Sequence, residues 1–496
     1  MLKAEEIKHF IDLDAASEKK KDARIGDRYF RGDNDIKQYR IFYFNAEGEL
    51  VEDKTRSNAK IAHNFHKEIS VQVAQYILSG DKFVKSDIPE LQTEMDKYFN
   101  ENEDFIAEFS DTITGCVSEG SAYMYAFKNE KDLLSFQKAG FIGVVEVRAK
   151  DTDTNTEHMI YWYTDRVEKG TKTIKRIQVW DKDAVEFWVQ ENDGEIKKDD
   201  SEKVNPRKHT LYRKEGTDET TYKPFGFIPF FRLDNNMEQK SDLFMYKDQV
   251  DDYDLHASSL TNNLKDFDTP IHVVKGFEGD DLTELQQNLK TKKIIGVGEE
   301  GGVEVHTVEI PYQARLAKLD LDEKNIYREG MALNTAGLKD TNATVSVAIK
   351  AAYSLLDMKA KELEKRIKRF LRKIIKVVID EINEVNETDY SPDMVQIEFE
   401  HEVMTNEHEN AQISLTEAQE QQVRIGTLLN LAAHLDTETL QQKICEAMGW
   451  DYDELKDKLP DPDEAENAVT DAQAGLNGVV VEDESKAEGS PAAVLG

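Results

Sequence analysis

The chain has 496 residues, with 99 Asp and Glu against 64 Lys and Arg and a formal net charge of −35. That balance argues against a sequence-specific DNA binder, which would show a basic face, and against an anionic membrane surface as partner. The length suffices for several domains' worth of core, and no apolar run is long enough to read as a membrane span. The two cysteines, Cys116 and Cys445, lack metal-ligand spacing and read as reduced, structural thiols.

The N-terminal stretch MLKAEEIKHFIDLD carries acids and no apolar centre, so it is not expected to be a signal peptide. Residues 1–25 read as one helix with a charged stretch at 18–24. Residues 58–135 read as mostly helical, with periodic apolar positions Ile69, Val73 and Ile77, then Phe105, Phe109 and Ile113. From 140 to 235 the pattern turns strand-like, at 160–163, 177–180 and 185–189, with turns such as Asn192-Asp193-Gly194. An α+β unit over 26–240 is expected, closed by a strand-like run at 394–399.

Residues 241–387 form the most distinctive series. Leu243, Tyr246, Val250, Tyr253, Ala257, Leu260, Leu264 and Phe267 recur at spacings of three and four, an amphipathic stripe that faces a partner helix. Ser241 and Asp242 suit its start, and Pro270 lies past its end. A compact insert follows: a strand at 271–275, a short helix at 281–290 with Asp281 and Glu284 placed like a capping box, and apolar runs at 293–297 and 303–310. A second helix is predicted from Pro311 to about residue 329, ended by Gly330. Residues 331–344, MALNTAGLKDTNAT, are polar and read as a mobile loop. A very long helix over 345–387 carries the stripe Leu356, Ala360, Leu363, Ile367, Phe370, Ile374, Val378, Ile382 and Val385. Residues 406–450 read as helical. The segment 451–488 has 13 acids and three lysines, and the chain end is expected to be disordered.

Motifs for chemistry are weak. Gly296, Gly298 and Gly301 match G-x-G-x-x-G, but a strand-like run follows and Glu299 and Glu300 would repel phosphate. Asp151, Asp153 and Asn155 open like a calcium loop, yet Thr156 and Trp162 stand where Gly and Glu are needed. His63 and His66 lack a third zinc ligand and read as a polar helix face. No P-loop and no G-x-S-x-G occur. Residues 359–376 hold nine Lys or Arg against two Glu in this acidic chain, a charge anomaly. The plain account is a solvated face. A sharper one is pairing with acids of neighbouring copies, such as Asp248, Asp251, Asp252 and Asp254, and a third is DNA contact.

The order of helix, small insert, helix, polar loop and very long helix resembles the portal proteins of tailed double-stranded DNA bacteriophages, in the class typified by a long-tailed Bacillus phage. Tyr29-Phe30-Arg31-Gly32-Asp33 with Ile36 is similar to the family's N-terminal aromatic-Arg-Gly signature. Residues 58–65 (NAKIAHNF), 76–80 (YILSG) and Ile228-Pro229-Phe230-Phe231 with Asn235-Asn236 match further segments, in the right order, from about residue 20 to 450.

The resemblance implies an α+β, mainly helical portal fold with wing, stem, clip and crown, assembled as a dodecameric ring around a DNA channel. By domain it implies N-terminal helices and wing over 1–240, stem helices at 241–270 and 311–330, and a clip at 271–310. A tunnel loop at 331–344, a wing helix and strand at 345–405, a crown at 406–465 and an acidic tail at 466–496 complete it. Stem packing falls to Leu243, Tyr246, Val250, Tyr253, Leu260, Leu264 and Phe267. The tunnel loop would offer Asn334, Thr335, Lys339, Asp340, Thr341 and Asn342 to DNA. The clip would dock partners through His272, Lys275, Glu284 and His306, and Lys365, Arg366, Arg369, Arg372 and Lys373 would face neighbouring subunits. Implied partners are further copies of the chain, double-stranded DNA, the terminase large subunit, scaffolding protein, major capsid protein and a head-completion adaptor. No cofactor, metal, membrane or catalytic site is expected, and the place of work is the virion. Two rivals remain: an acidic DNA-mimic or adaptor protein, and a metal-dependent hydrolase built from clustered carboxylates.

Overall fold

A computed structural model describes residues 2–54, 56–128, 133–149, 155–168, 172–213, 220–267, 271–275, 301–306, 311–334 and 346–401, and isolated positions between 422 and 445. The chain divides into one unit of residues 1–343 and 347–403 and a second of 344–346 and 404–496. The elements below lie in the first unit, Ser346 excepted. The short helix at 281–290, the run at 293–297 and most of the expected crown and tail lie outside the described residues.

The chain opens with α1 (Ala4–Ala15) and α2 (Glu18–Phe30), two helices where one was expected. The break falls at Ser17, whose extended backbone and side-chain oxygen, accepting from the Lys20 amide, start a new helix. Hairpin β1 (Phe42–Phe44) and β2 (Leu50–Glu52) precedes α3 (Phe65–Ile77). Then come β3 (Val84–Lys85), α4 (Pro89–Met95) and α5 (Glu103–Glu119). Asn102 caps α5 through the Phe105 amide, and Gly120 ends it at φ 94°. A β-carbon at Gly120 would also lie 2.4 Å from the Gln239 carbonyl oxygen, so only glycine fits.

The expected helical stretch to residue 135 stops there, because β4 (Ser121–Lys128) and β5 (Leu134–Gly140) follow. Next come β6 (Val144–Arg148), β7 (Thr156–Glu168), β8 (Lys172–Trp180), β9 (Val185–Glu191) and β10 (Ile196–Lys198), an antiparallel meander in chain order. The β9–β10 turn uses left-handed Asn192 and Asp193, at φ 48° and 57°, as the residue types there suggest. A hairpin, β11 (Thr210–Arg213) and β12 (Thr220–Lys223), leads to β13 (Phe230–Asp234), which pairs with β4 in the sheet β13-β4-β5.

The distinctive series follows as α6 (Leu243–Phe267), β14 (Ile271–Lys275), β15 (Gly302–His306), α7 (Tyr312–Glu329) and α8 (Ser346–Asn386). β16 (Gln396–Ile397) pairs with β3 and is shorter than the expected run at 394–399, whose start is a 3₁₀ turn. The main core forms where α3, α5 and the β13-β4-β5 sheet meet α8. Leu356, Ala360, Leu363, Ile367, Phe370, Ile374, Val378 and Ile382 are all buried there; the last stripe position, Val385, is 67% exposed. A second cluster sits between the two sheets around Trp180, and a third buries Ile7 of α1 on the meander.

Candidate functional site: a helix pair, its clamp and a basic helix

α6 and α7 run antiparallel. Lys318 of α7 donates to Asp252 of α6 at 2.5 Å, and Gly330 after α7 lies against Tyr246 near the start of α6. Gly330 keeps right-handed backbone, and the left-handed residue is Met331 at φ 51°. Glycine is needed at 330 for closeness: a β-carbon would lie 2.8 Å from Ile69 Cδ1.

The expected stripe on α6 is buried only at its N-terminal end. Leu243, Tyr246 and Val250 are fully buried with Tyr29, Phe65, Ile69, Ile326 and Tyr327, and Tyr253 packs at the margin. Leu260 is half-buried and Leu264 is 49% exposed. Further along α6 the buried positions are polar instead, Asp254 and Ser258.

The reason is a clamp absent from the sequence reading. Residues 57–63 run extended along α6, and every second backbone amide donates to a side chain one turn further along the helix. His63 donates to Asp254 (3.0 Å), Ile61 to Ser258 (3.0 Å), Ala59 to Asn262 (2.6 Å) and Ser57 to Asp266 (3.3 Å). Two extended residues advance about 6.6 Å and four helical residues about 6.0 Å, so the two periods stay in step. Asp254, fully buried, also accepts from Asn34 at 2.6 Å and lies 2.7 Å from His63 Nδ1. Tyr29 donates to Asp251, which with Asp35 also holds Lys247. The two N-terminal segments that carried the family resemblance thus converge on α6. The i, i+4 run of Asp254, Ser258, Asn262 and Asp266 was the available signal.

His63 and His66 do not share a polar face. His66 is buried at 1% exposure, its Nε2 donates to the Ser118 carbonyl at 3.2 Å, and its Nδ1 accepts from Tyr246 at 2.7 Å. Burial pushes its pKa down to about 4.

The loop expected at 331–344 is anchored where it begins. Ala332 and Leu333 are buried, and Gln72 holds Leu333 through both its amide and its carbonyl, at 3.0 and 2.9 Å. Asn334 donates to Glu323. Thr335, Lys339, Asp340, Thr341 and Asn342 lie outside the described residues. At the insert, β14 and β15 pair with Ile271 opposite His306 and His272 opposite Val305; Lys275 pairs with Glu304 at 2.5 Å. Glu284 lies outside the described residues, and the rest of that insert with it.

On α8, Lys365, Arg369, Arg372 and Lys373 are exposed and Arg366 half-buried. The acids expected to answer them are largely engaged within the chain: Asp254 by Asn34 and His63, Asp251 by Tyr29 and Lys247, Asp252 by Lys318. Of that set only Asp248 is exposed. Lys359 of the same basic stretch points inward, pairing with buried Asp242 at 2.5 Å and donating to the Gly330 carbonyl at 2.8 Å. It ties the start of α6, the end of α7 and α8 together.

The described part of the molecule thus joins a two-sheet α+β body to an antiparallel helix pair that frames a hairpin, with a 41-residue helix as its spine. No group of acidic, histidine or cysteine side chains suited to a metal occurs among the described residues, and no described helix is long and apolar enough to cross a membrane. This is a structural architecture with an interrupted helical hairpin. The family described as phage portal protein, SPP1 Gp6-like, matches residues 10–448, and the chain belongs to it. It is 26% identical over 371 residues to the portal protein of Bacillus phage SPP1, covering 74% of this chain and 71% of that one. To the portal protein of Clostridium phage phiCD119 it is 25% identical over 432 residues, covering 83% and 89%. Its function is that of a phage portal, a component of the virion capsid.

Proposed function

We propose that the chain works as a dodecameric ring at one capsid vertex, through which double-stranded DNA is packaged and later ejected, and that it nucleates head assembly. The observation that carries this is the apolar surface left on the helix pair. Leu264 of α6 and Tyr312, Leu316 and Leu321 of α7 are 49%, 51%, 41% and 54% exposed. Side chains of this size on a helix pair already packed against its own body call for a partner surface, and a ring of identical copies supplies one.

In that ring α6 and α7 form the stem and residues 271–310 the clip. The clip docks the terminase large subunit and later a head-completion adaptor through His272, Lys275, Glu284 and His306. Scaffolding protein and major capsid protein contact the outer body, and assembly takes place in the host cytoplasm. Thr335, Lys339, Asp340, Thr341 and Asn342, with Asn334 at the anchored end, form the tunnel loop that touches DNA. Lys365 and Arg372, on the outward side of α8, meet neighbouring copies. The net charge of −35 keeps the duplex centred in a channel lined by acids across a solvated gap of about a Debye length, roughly 8 Å at physiological salt. The chain has no catalytic site of its own.

Native mass spectrometry with particle imaging of the same sample tests the reading. A ring near twelve subunits with a central hole supports it. A chain that stays monomeric or dimeric even with scaffolding and capsid proteins present overturns it.

A further inference from the structure

The basic residues of α8 do not share one role. Arg366, Arg369 and Lys373 line a cavity of about 780 Å³, and Lys365 and Arg372 of the same helix do not. Its other walls come from β4, β6, β7, β13, the turn between β8 and β9 and the residues before β13, with Arg148, Lys182 and Arg232 contributing charge. Among the described residues, six basic side chains line it against two acids, Glu146 and Asp234.

Those two acids are already engaged. Glu146 accepts from Arg148 at 2.6 Å and from Arg232 at 2.9 Å, and Asp234 pairs with Arg232 at 3.1 Å. Lys182, Arg366, Arg369 and Lys373 have no ion-pair partner among the described residues. Arg366, Arg369 and Lys373 stand three, four and seven residues apart, one face of one helix, where like charges repel. Such a cluster, gathered in a concave site from separate parts of the chain, focuses a positive potential that attracts an anion.

We propose that this cavity binds an oligophosphate: an inorganic chain such as tripolyphosphate, or the triphosphate of a nucleotide. Several features select that chemistry. The net excess of four positive charges among the described lining residues matches a chain of linked phosphates better than one carboxylate. Arginine forks bind phosphate oxygens in pairs, and Arg366 and Arg369 of α8 line the cavity together with Lys373 and Lys182. The volume is that of a small-ligand site. Phe227, 37% exposed, stands on the wall, with Phe230 and buried Phe370 beside it, so an aromatic base has a surface to stack on. The proposal is independent of the ring: a single chain contains the whole cavity.

The test is isothermal titration of the full chain at low salt with sodium tripolyphosphate, ATP, orthophosphate, citrate and a short duplex DNA. Tripolyphosphate should bind at least tenfold more tightly than citrate or orthophosphate. The double variant Arg369→Gln/Lys373→Gln should lose that binding at least tenfold. Lys365→Gln/Arg372→Gln, with the same loss of charge outside the cavity wall, should leave it within twofold. ATP binding as tightly as tripolyphosphate identifies the phosphates as the whole ligand. Tighter ATP binding that Phe227→Ala removes identifies a nucleotide. Either supports the site. Equal losses in both double variants would mean diffuse charge and overturn it. So would duplex DNA binding that depends on Arg369 and Lys373 while tripolyphosphate does not bind. A melting temperature of the Arg369→Gln/Lys373→Gln protein equal to or above that of the parent separates loss of the site from loss of the fold.

Discussion

At the residue scale, two buried titratable groups act on stability with opposite sign. His66 is held neutral by burial, its ring between Tyr246 and the Ser118 carbonyl, with Asp242 and Lys359 nearby. The unfolded chain takes up that proton near pH 6.5 and the folded chain only near 4. Between those values the unfolded state binds more protons, so stability is full above pH 6.5 and falls as pH drops toward 4, by about 3 kcal/mol in all. At Glu119, loss of hydration outweighs the pull of Lys138 and Lys20 and raises the carboxyl to about 7. The folded chain keeps this proton where the unfolded chain has lost it. Its stabilising share is therefore full below pH 4.5 and lost as pH rises through 7. Glu119→Gln should stabilise the protein by up to about 3 kcal/mol at pH 8 and by almost nothing at pH 4, read from urea midpoints. In His66→Gln the acid-side slope between pH 6.5 and 4 should flatten; an unchanged slope would remove His66 from this account.

Asp254 is the residue on which the clamp depends. Itself fully buried, it receives the buried Asn34 amide and the part-buried backbone amide and ring of His63. Asp254→Ala should cost about 3 kcal/mol, because three donors lose one buried anionic acceptor. Hydrogen exchange at the Ile61 and His63 amides checks the mechanism. Protection should fall there first, while α8 keeps its protection.

At the element scale, α8 is the chain's main apolar spine, and its burial follows the 3.6-residue period that its sequence shows. Ile374 is fully buried in the principal core. Ile374→Ala should destabilise by about 3 kcal/mol through lost transfer energy and a cavity. A loss below about 1 kcal/mol would mean that the site collapses freely around the smaller side chain. α6 behaves differently. Its apolar stripe reads as continuous, yet the structure uses the N-terminal part for the body and the polar i, i+4 row for the clamp. Periodicity identified the helix and its length; it did not say which of two stripes meets which neighbour. Likewise the Ser17 cap was a local signal that charged residues on either side obscured, and the long strand-rich meander was legible from alternation and turn residues.

At the scale of the whole molecule, the exposed leucines of the helix pair become the lever on assembly. Leu264→Asp and Leu321→Asp should leave the monomer folded, since both side chains are about half in water, and should prevent ring formation on a sizing column and in particle images. Intact rings from both variants would move the subunit interface elsewhere. Lys339→Glu should leave rings intact and lower packaging yield, as expected for the one basic residue of the proposed tunnel loop. Normal packaging would remove that loop from the DNA path. The oligophosphate cavity is read separately from both, because it belongs to one chain.

The sequence by itself determined the family, the order of the long helices and the insert between them, and the buried face of α8. Those are matters of local order and of a hydrophobic period repeated over many turns, and neither depends on what lies across the fold. It also showed that α8 is anomalously basic. Only the tertiary structure decided where those charges go: Lys359 inward to Asp242, Arg366, Arg369 and Lys373 to the wall of a cavity, and Lys365 and Arg372 to the surface beside it. It alone joined residues 57–63 to α6 and consumed Asp251, Asp252 and Asp254 within the chain. Polar partners are chosen by directional contacts between segments about 200 residues apart, and nothing in the period of either segment encodes the other.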